Sequence, residues 1–180
     1  SELMRHLYYR LAFIGLLVAA AGGAYAQAEF QMLTLPGGGS WASFSLSQDG
    51  SKMACNVGGG IYLWTRGVGY SFCGTGSPMS SSVGLSADGT TICADRTGAD
   101  GNNNPAIWNG AAGWTDLGHP PEGCIMDGSW GSGYAVSGDG AIAVGLAWYC
   151  PSAEGFRWTS SGGMVGLDHP EGSASRASDI

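Results

Sequence analysis

The four-residue pattern Ser-x-Asp-Gly occurs three times in this chain, and each copy is followed by a hydrophobic segment and then a tryptophan. Asp-Gly between apolar segments is typical of a tight hairpin turn, because glycine adopts the positive φ that the turn needs. Serine and aspartate side chains can also bind backbone N–H groups within such a turn. Because a scaffold unit recurs whereas a catalytic site is normally built once, the pattern indicates structural turns. The residues of these turns are Ser47, Asp49, Gly50, Ser86, Asp88, Gly89, Ser137, Asp139 and Gly140.

Each repeat contains about four strand-sized segments. Two flank the Ser-x-Asp-Gly turn, a third ends at Trp64, Trp108 or Trp158, and a fourth follows a glycine five residues later. The 33 glycines of the 180-residue chain suit short strands and turns better than helices. Four strands in a repeat of this length predict the blade of a β-propeller. We therefore expect an all-β fold of repeated four-stranded antiparallel units, about three blades of a longer ring; the alternative is a three-repeat partial barrel or sandwich.

The predicted organisation is a signal peptide over residues 1–26 and a β-repeat region over 27–180. Arg5 and Arg10 precede an apolar run, and Ala24 and Ala26 suit signal peptidase, so cleavage is expected after Ala26. The apolar run is too short to cross a bilayer, and we expect a signal helix, no membrane span after cleavage, and a secreted, extracellular or periplasmic location. Residues 1–3, before Met4, are expected to lie outside the native start. The repeats are expected at about 40–78, 79–123 and 124–172, with a fourth truncated at the end of the sequence.

The five cysteines all lie after the predicted cleavage point, where an oxidising compartment allows disulfides. If the 137–140 turn closes a symmetrical hairpin, residue numbers across it sum to about 277, which places Trp130 opposite Ala147. That register brings Cys150 near Cys124, so we predict a disulfide between them. Two free thiols packed as small apolar groups are the alternative.

The composition and motifs do not favour nucleic-acid binding or a known catalytic site. The net charge of −7 lacks the basic patch that nucleic-acid recognition requires. No Gly-x-Ser-x-Gly nucleophile motif occurs, and His119 and His169 occupy equivalent loops beside proline. We therefore predict no cofactor and no catalytic residues.

One loop carries a weak calcium pattern. Asp100, Asn102 and Asn104 alternate as in the first half of a Ca²⁺ loop. However, Pro105 stands where the glycine turn should be, and no glutamate closes the loop. A polar hairpin tip is the other interpretation of these residues.

The third repeat resembles the HAF family of probable extracellular repeats, which pair the Ser-x-Asp-Gly turn with Phe-Arg-Trp-Thr and then Gly-Met. The other two repeats fit this family less well. The resemblance implies a secreted bacterial protein of β-propeller-like build with no established activity and no catalytic residues to carry over. The matching residues are Ser137, Asp139, Gly140, Gly145, Phe156, Arg157, Trp158, Thr159, Gly163, Met164 and Leu167.

Residues 47–64 also resemble the Ser-x-Asp-Gly-Lys repeat of TolB-type propellers, which implies a periplasmic platform for protein interaction. We therefore expect a non-catalytic scaffold or interaction module that binds a protein or a polysaccharide, neither of which the sequence identifies. The alternative is a fragment of a secreted propeller enzyme, a glycoside hydrolase or polysaccharide lyase.

Overall fold

The computed structural model describes residues 31–38, 42–77, 82–150, 152–168 and 173–180. The chain divides into one unit of residues Ser1–Thr34 and another of Leu35–Ile180. In the first unit, residues 31–34 have no regular secondary structure, and the predicted signal peptide lies outside the described residues. No helix within the described ranges is long and apolar enough to cross a membrane.

The second unit contains three four-stranded antiparallel sheets, and within each sheet consecutive strands are neighbours. Two three-residue 3₁₀ turns, Pro36–Gly38 and Gly110–Ala112, accompany the strands, and the described residues contain no α-helix. The prediction of an all-β fold of repeated four-stranded units is therefore confirmed. The first sheet comprises β1 (Ala42–Leu46), β2 (Lys52–Val57), β3 (Gly60–Thr65) and β4 (Gly69–Thr75). The second comprises β5 (Val83–Leu85), β6 (Thr91–Thr97), β7 (Asn103–Asn109) and β8 (Trp114–Asp116). The third comprises β9 (Gly131–Val136), β10 (Ile142–Tyr149), β11 (Ser152–Thr159) and β12 (Gly163–Gly166).

The Ser-x-Asp-Gly segments join the first two strands of every sheet. Their glycines have φ values of 63°, 67° and 74°, in the left-handed region that side chains other than glycine rarely adopt. Pairing begins immediately outside each turn, at Leu46–Met53, Leu85–Ile92 and Val136–Ala143. The local chemistry of the repeated motif therefore accounts for the first hairpin of each sheet.

The register predicted for the third hairpin is wrong. Val136 pairs with Ala143, and a bulge between Val144 and Gly145 shifts the pairing, so that Ala147 lies opposite Gly131 rather than Trp130. The reason is the length of the turn: the Ser137 N–H donates to the Ile142 carbonyl, at 2.8 Å, so the loop spans residues 137–142 rather than 137–140. The loop therefore centres on Asp139 and Gly140, and the residue numbers of the first pairs beside it sum to 279 rather than 277.

Two hydrophobic cores lie between successive sheets, and the second sheet contributes to both. Along β6, Ile92 and Ala94 face the first core whereas Cys93 faces the second, as the alternation of a strand requires. A single sheet cannot bury both of its faces, so stacking is what buries these side chains. The buried members of the first core are Ala54, Ile61, Val83, Leu85, Ile92 and Ala94. Those of the second are Cys93, Leu117, Val136, Ala143, Ala147, Phe156, Trp158 and Met164.

The first strands of the three sheets approach one another closely. A Cβ added at Gly84 of β5 would lie 2.7 Å from the Cα of Ala135 in β9, so only glycine allows this approach. Between β1 and β5, the Leu85 N–H donates to the Ser45 hydroxyl, at 2.9 Å. The first strands β1, β5 and β9 therefore lie next to one another, and we call them the inner strands.

Candidate functional site

The three Ser-x-Asp-Gly turns are held by the same hydrogen bonds. In each, the serine hydroxyl donates to the aspartate, at 2.8, 2.7 and 2.6 Å in chain order. The aspartate also accepts a backbone N–H two residues further on, at 2.9, 3.0 and 3.0 Å. The serine oxygen accepts the backbone N–H five residues further on, at 3.0, 2.9 and 3.0 Å. The side chains of the repeated motif therefore cap their own turns.

These hydrogen bonds keep the three carboxyl groups ionised. The pKa of Asp49 is lowered to about 2, chiefly by the Ser51 backbone N–H and then by the Ser47 hydroxyl. The pKa values of Asp88 and Asp139 are also lowered, first of all by the serine hydroxyl of the same turn. A general acid requires a pKa near the working pH. These carboxylates are therefore poorly suited to proton transfer at neutral pH.

The second residue of each motif links one turn to the next. The Gln48 N–H donates to the Ala87 carbonyl at 2.9 Å, and the Ala87 N–H donates to the Gly138 carbonyl at 3.0 Å. Beside these two hydrogen bonds, Lys52 Nζ donates to the carbonyl of Gly89, at 3.1 Å. The motif therefore both turns its own hairpin and connects neighbouring sheets.

An open cavity of about 380 Å³ lies beside the inner strands, near the segment 173–180. That segment is held against the third sheet by the Ser175 N–H, which donates to the Ala153 carbonyl, and by the Ala177 N–H, which donates to the Gly145 carbonyl. The lining combines several hydroxyl groups with one charged group, a guanidinium. The residues that line this inner-strand cavity include Ser43, Ser82, Val83, Tyr134, Arg176 and Ser178.

The chemistry of the inner-strand cavity is that of a binding surface. Arg176 offers a planar, permanently charged set of donors that matches a carboxylate. The pKa of Tyr134 is raised, chiefly because the phenol is partly removed from water, so its hydroxyl stays protonated at neutral pH. Together with the serines, these groups can donate hydrogen bonds to an acidic or hydroxyl-bearing ligand.

The loop predicted as a calcium motif does not bring its three residues to one point. The Asn102 side-chain amide donates to Asp100 at 2.9 Å, so Asn102 supports that carboxylate. The Asn104 amide instead donates to Asp116 Oδ2, at 2.6 Å. Within the described ranges no group of three or more His, Cys, Asp or Glu side chains could hold a metal ion.

Of the two loop histidines, only His119 lies among the described residues. The His119 ring stacks on the Trp130 ring, with centroids 3.9 Å apart and planes 10° apart. Its Nδ1 lies 2.9 Å from the Pro120 carbonyl oxygen. His169 lies outside the described residues. The contacts of His119 are those of a packed loop side chain.

In the structure Cys124 and Cys150 form a disulfide, with their Cα atoms 5.9 Å apart. The Cys124 N–H donates to the Trp148 carbonyl at 2.8 Å, which brings the loop before β9 beside the end of β10. The other three cysteines are free thiols. Burial raises the pKa of Cys55 to about 11 and also raises that of Cys93, so neither is a reactive thiolate at neutral pH.

Sequence reasoning missed a buried carboxylate that joins two sheets. Asp95 of β6 is fully buried, and it accepts a hydrogen bond from the Gly133 N–H of β9, at 2.5 Å. Counted from the Ser-x-Asp-Gly turns, Asp95 occupies the same repeat position as Asn56, which is also buried. A repeated polar residue among buried strand residues was the signal that could have identified it.

Three stacked antiparallel sheets with their first strands innermost define a partial β-propeller, in which the ring is not closed. The chain is similar to the crystal structure of TolB from Acinetobacter baumannii, with a TM-score of 0.58 and 15% identity. The similarity covers 77% of this chain and 34% of that chain, so this chain spans about a third of the length of that protein. At this identity the likeness shows the fold.

A second solved structure, assigned to TolB of Agrobacterium tumefaciens, has 13% identity and a TM-score of 0.35. This second similarity covers 71% of our chain and 61% of the Agrobacterium tumefaciens chain. No family model matches the chain, and no curated protein matches it either. The resemblance to HAF repeats therefore rests on sequence residues, chiefly those of the third repeat.

Proposed function

We propose that this chain is a non-catalytic interaction module of β-propeller type that is exported and binds a protein partner at the inner-strand cavity. The observation that carries the proposal is the contrast between the repeated motif and the cavity. The repeated aspartates cap their own turns, whereas the exposed side chains of Arg176 and Ser178 line an open cavity. A protein that presents a carboxylate matches this set of donors.

The location outside the cytoplasm is supported by the sequence of the N-terminal segment, with its two arginines, apolar run and small residues before Gln27. The predicted disulfide partners, Cys124 and Cys150, also suit an oxidising compartment. A protein partner is favoured over a polysaccharide by the resemblance of residues 47–64 to TolB-type repeats, which implies a platform for protein interaction.

The proposal is tested with a photo-crosslinking amino acid at Ser178, in the exported full chain within living cells. We expect a discrete crosslinked protein species that Arg176→Ala reduces at least severalfold. The matched control places the crosslinker at Val68, which is 80% exposed at the tip of another turn and should give no such species.

Two results would count against this function. Crosslinking from position 178 that is unchanged by Arg176→Ala would show that the cavity does not select the partner. Release of new chain ends from a panel of polysaccharides by the purified protein would instead support the propeller enzyme.

A further inference from the structure

A second cavity lies between the second and third sheets, beside the strand ends opposite the Ser-x-Asp-Gly turns. Its volume is about 160 Å³, and its walls include the end of β6, the starts of β7 and β9, and the end of β10. A cavity of about 150 Å³ holds one benzene molecule. This space, which we call the Asp95 cavity, therefore suits one small chemical group rather than a drug-sized ligand.

Asp95 places a carboxylate in the wall of this cavity. The side chain is fully buried, and its Oδ1 accepts a hydrogen bond from the Gly133 N–H, at 2.5 Å. A hydrogen bond of this kind favours the ionised form of a carboxyl group. Because a carboxylate has about four lone-pair sites, Asp95 can accept further donors besides Gly133. The polar wall of the cavity therefore attracts a positively charged hydrogen-bond donor.

The lining also includes an aromatic ring and a thioether. Trp148 and Met126, both half-buried, border the cavity. A tryptophan ring attracts a cation to its face, and a methionine side chain packs well against methylene groups because it is flexible and polarizable. A metal ion such as Ca²⁺ instead needs several oxygen ligands around it, which these two side chains do not provide. The lining therefore fits an organic cation better than a metal ion.

Trp148 and Met126 are held in place by neighbouring cross-links. The disulfide partners Cys124 and Cys150 are each two residues away from one of them along the chain. The Cys124 N–H donates to the Trp148 carbonyl, at 2.8 Å. Met126 and Ser129 exchange two backbone hydrogen bonds, at 2.9 and 3.0 Å. This part of the lining is thus ordered before any ligand arrives.

We propose that the Asp95 cavity binds an alkylammonium group, whose N–H donors bond to Asp95 and whose charge lies near the Trp148 ring. Hydrogen bonds between an ammonium group and a carboxylate are about twice as strong as those between neutral groups. Asp127, an exposed residue that also lines the cavity, adds a second negative charge. A lysine side chain of a partner protein and a free primary amine share this chemistry. The site has no lining residue in common with the inner-strand cavity, so either proposal can fail while the other stands.

The first test titrates the full, isotope-labelled chain with n-butylammonium chloride and follows the Gly133 N–H by NMR, because that group donates to Asp95. We expect a saturable shift with a Kd of about 1 mM, since a group this small makes few contacts. NaCl of equal ionic strength should leave the resonance in place, and so should n-butanol, which lacks the charge. The absence of a saturable shift, or an equal shift with n-butanol, overturns the proposal.

A second probe, Nα-acetyl-lysine N-methylamide, distinguishes the two sources of the ammonium group. This probe carries the lysine side chain on a short peptide main chain. Binding of both probes supports a lysine side chain of a partner as the ligand, whereas binding of n-butylammonium alone supports a free amine.

Two substitutions test the assigned residues. Asp95→Asn should weaken n-butylammonium binding by about tenfold or more, because it removes the charge; an amide suits this position, since Asn56 is buried at the equivalent position of the first sheet. Trp148→Leu keeps an apolar wall and should weaken binding by about threefold or more. The control Asp168→Asn, at an exposed acid outside the lining, should leave the Kd unchanged. Unchanged binding in either folded variant overturns the assignment, and Trp148→Leu decides it if Asp95→Asn does not fold.

Discussion

Replacing Phe156 with alanine is expected to lower the free energy of unfolding by about 3–5 kcal/mol. Phe156 is fully buried in the core between the second and third sheets. Its ring also covers Gly145, where an added Cβ would lie 2.8 Å from a ring carbon. The neighbouring strands cannot collapse into the lost volume, because the third sheet is already held by its backbone ladder on both sides of β11.

Chemical denaturation of the purified protein measures this effect. Phe156→Leu should cost less, because most of the volume is kept. The matched control is Phe72→Ala, at a phenylalanine of the first sheet that is 62% exposed; its effect should stay within about 0.5 kcal/mol. Equal effects of the two alanine substitutions would contradict the packing of the second and third sheets described here.

Removing the Cys124–Cys150 disulfide is expected to cost about 3 kcal/mol. The two residues are 26 positions apart, and closing a loop of that length restricts the unfolded chain by about this amount in the chain-entropy account. The cross-link also ties the loop before β9 to the end of β10. The variant to measure is Cys124→Ser combined with Cys150→Ser.

Peptide mapping under non-reducing conditions checks the pairing itself. The oxidised protein should yield one linked peptide that contains Cys124 and Cys150, and denaturation should expose three thiols, Cys55, Cys73 and Cys93, to alkylation. Cys73→Ala serves as the stability control, since it removes a half-buried thiol without opening a loop. Labelling of both Cys124 and Cys150 in the unreduced protein would reject the bridge.

The hairpins of the fold could be predicted from the sequence because their causes are local. Within each Ser-x-Asp-Gly turn the serine, the aspartate and the positive-φ glycine act on backbone groups no more than five residues away. Such short-range interactions leave a recognisable pattern in the sequence. The apolar segments beside the turns then show which residues form the strands.

The third hairpin shows where this local reasoning ends. Beyond the turn, its register depends on a bulge beside Gly145. A Cβ at Gly145 would overlap the Ser132 carbonyl oxygen and crowd Phe156. These are contacts between strands, and no pattern of neighbouring residues specifies them.

The features of the candidate sites could not be predicted because each joins distant parts of the chain. Asn104 meets Asp116 only after β7 and β8 have paired, and Arg176 reaches the inner-strand cavity only when the segment 173–180 lies against the third sheet. The sequence predicted Asp100, Asn102 and Asn104 as candidate calcium ligands. In the structure Asn102 donates to Asp100, whereas Asn104 donates to Asp116.

The central claim is that the repeated motif stacks the sheets by linking each turn to the next. Residue-resolved amide hydrogen exchange tests it most directly, because the second residue of an isolated hairpin turn normally leaves its N–H exposed to water. We predict slow exchange at Gln48 and Ala87, whose N–H groups donate to the following turn. Gly138 should exchange rapidly, since its N–H has no backbone acceptor among the described residues. Rapid exchange at all three positions would contradict the stacking of the sheets through their turns.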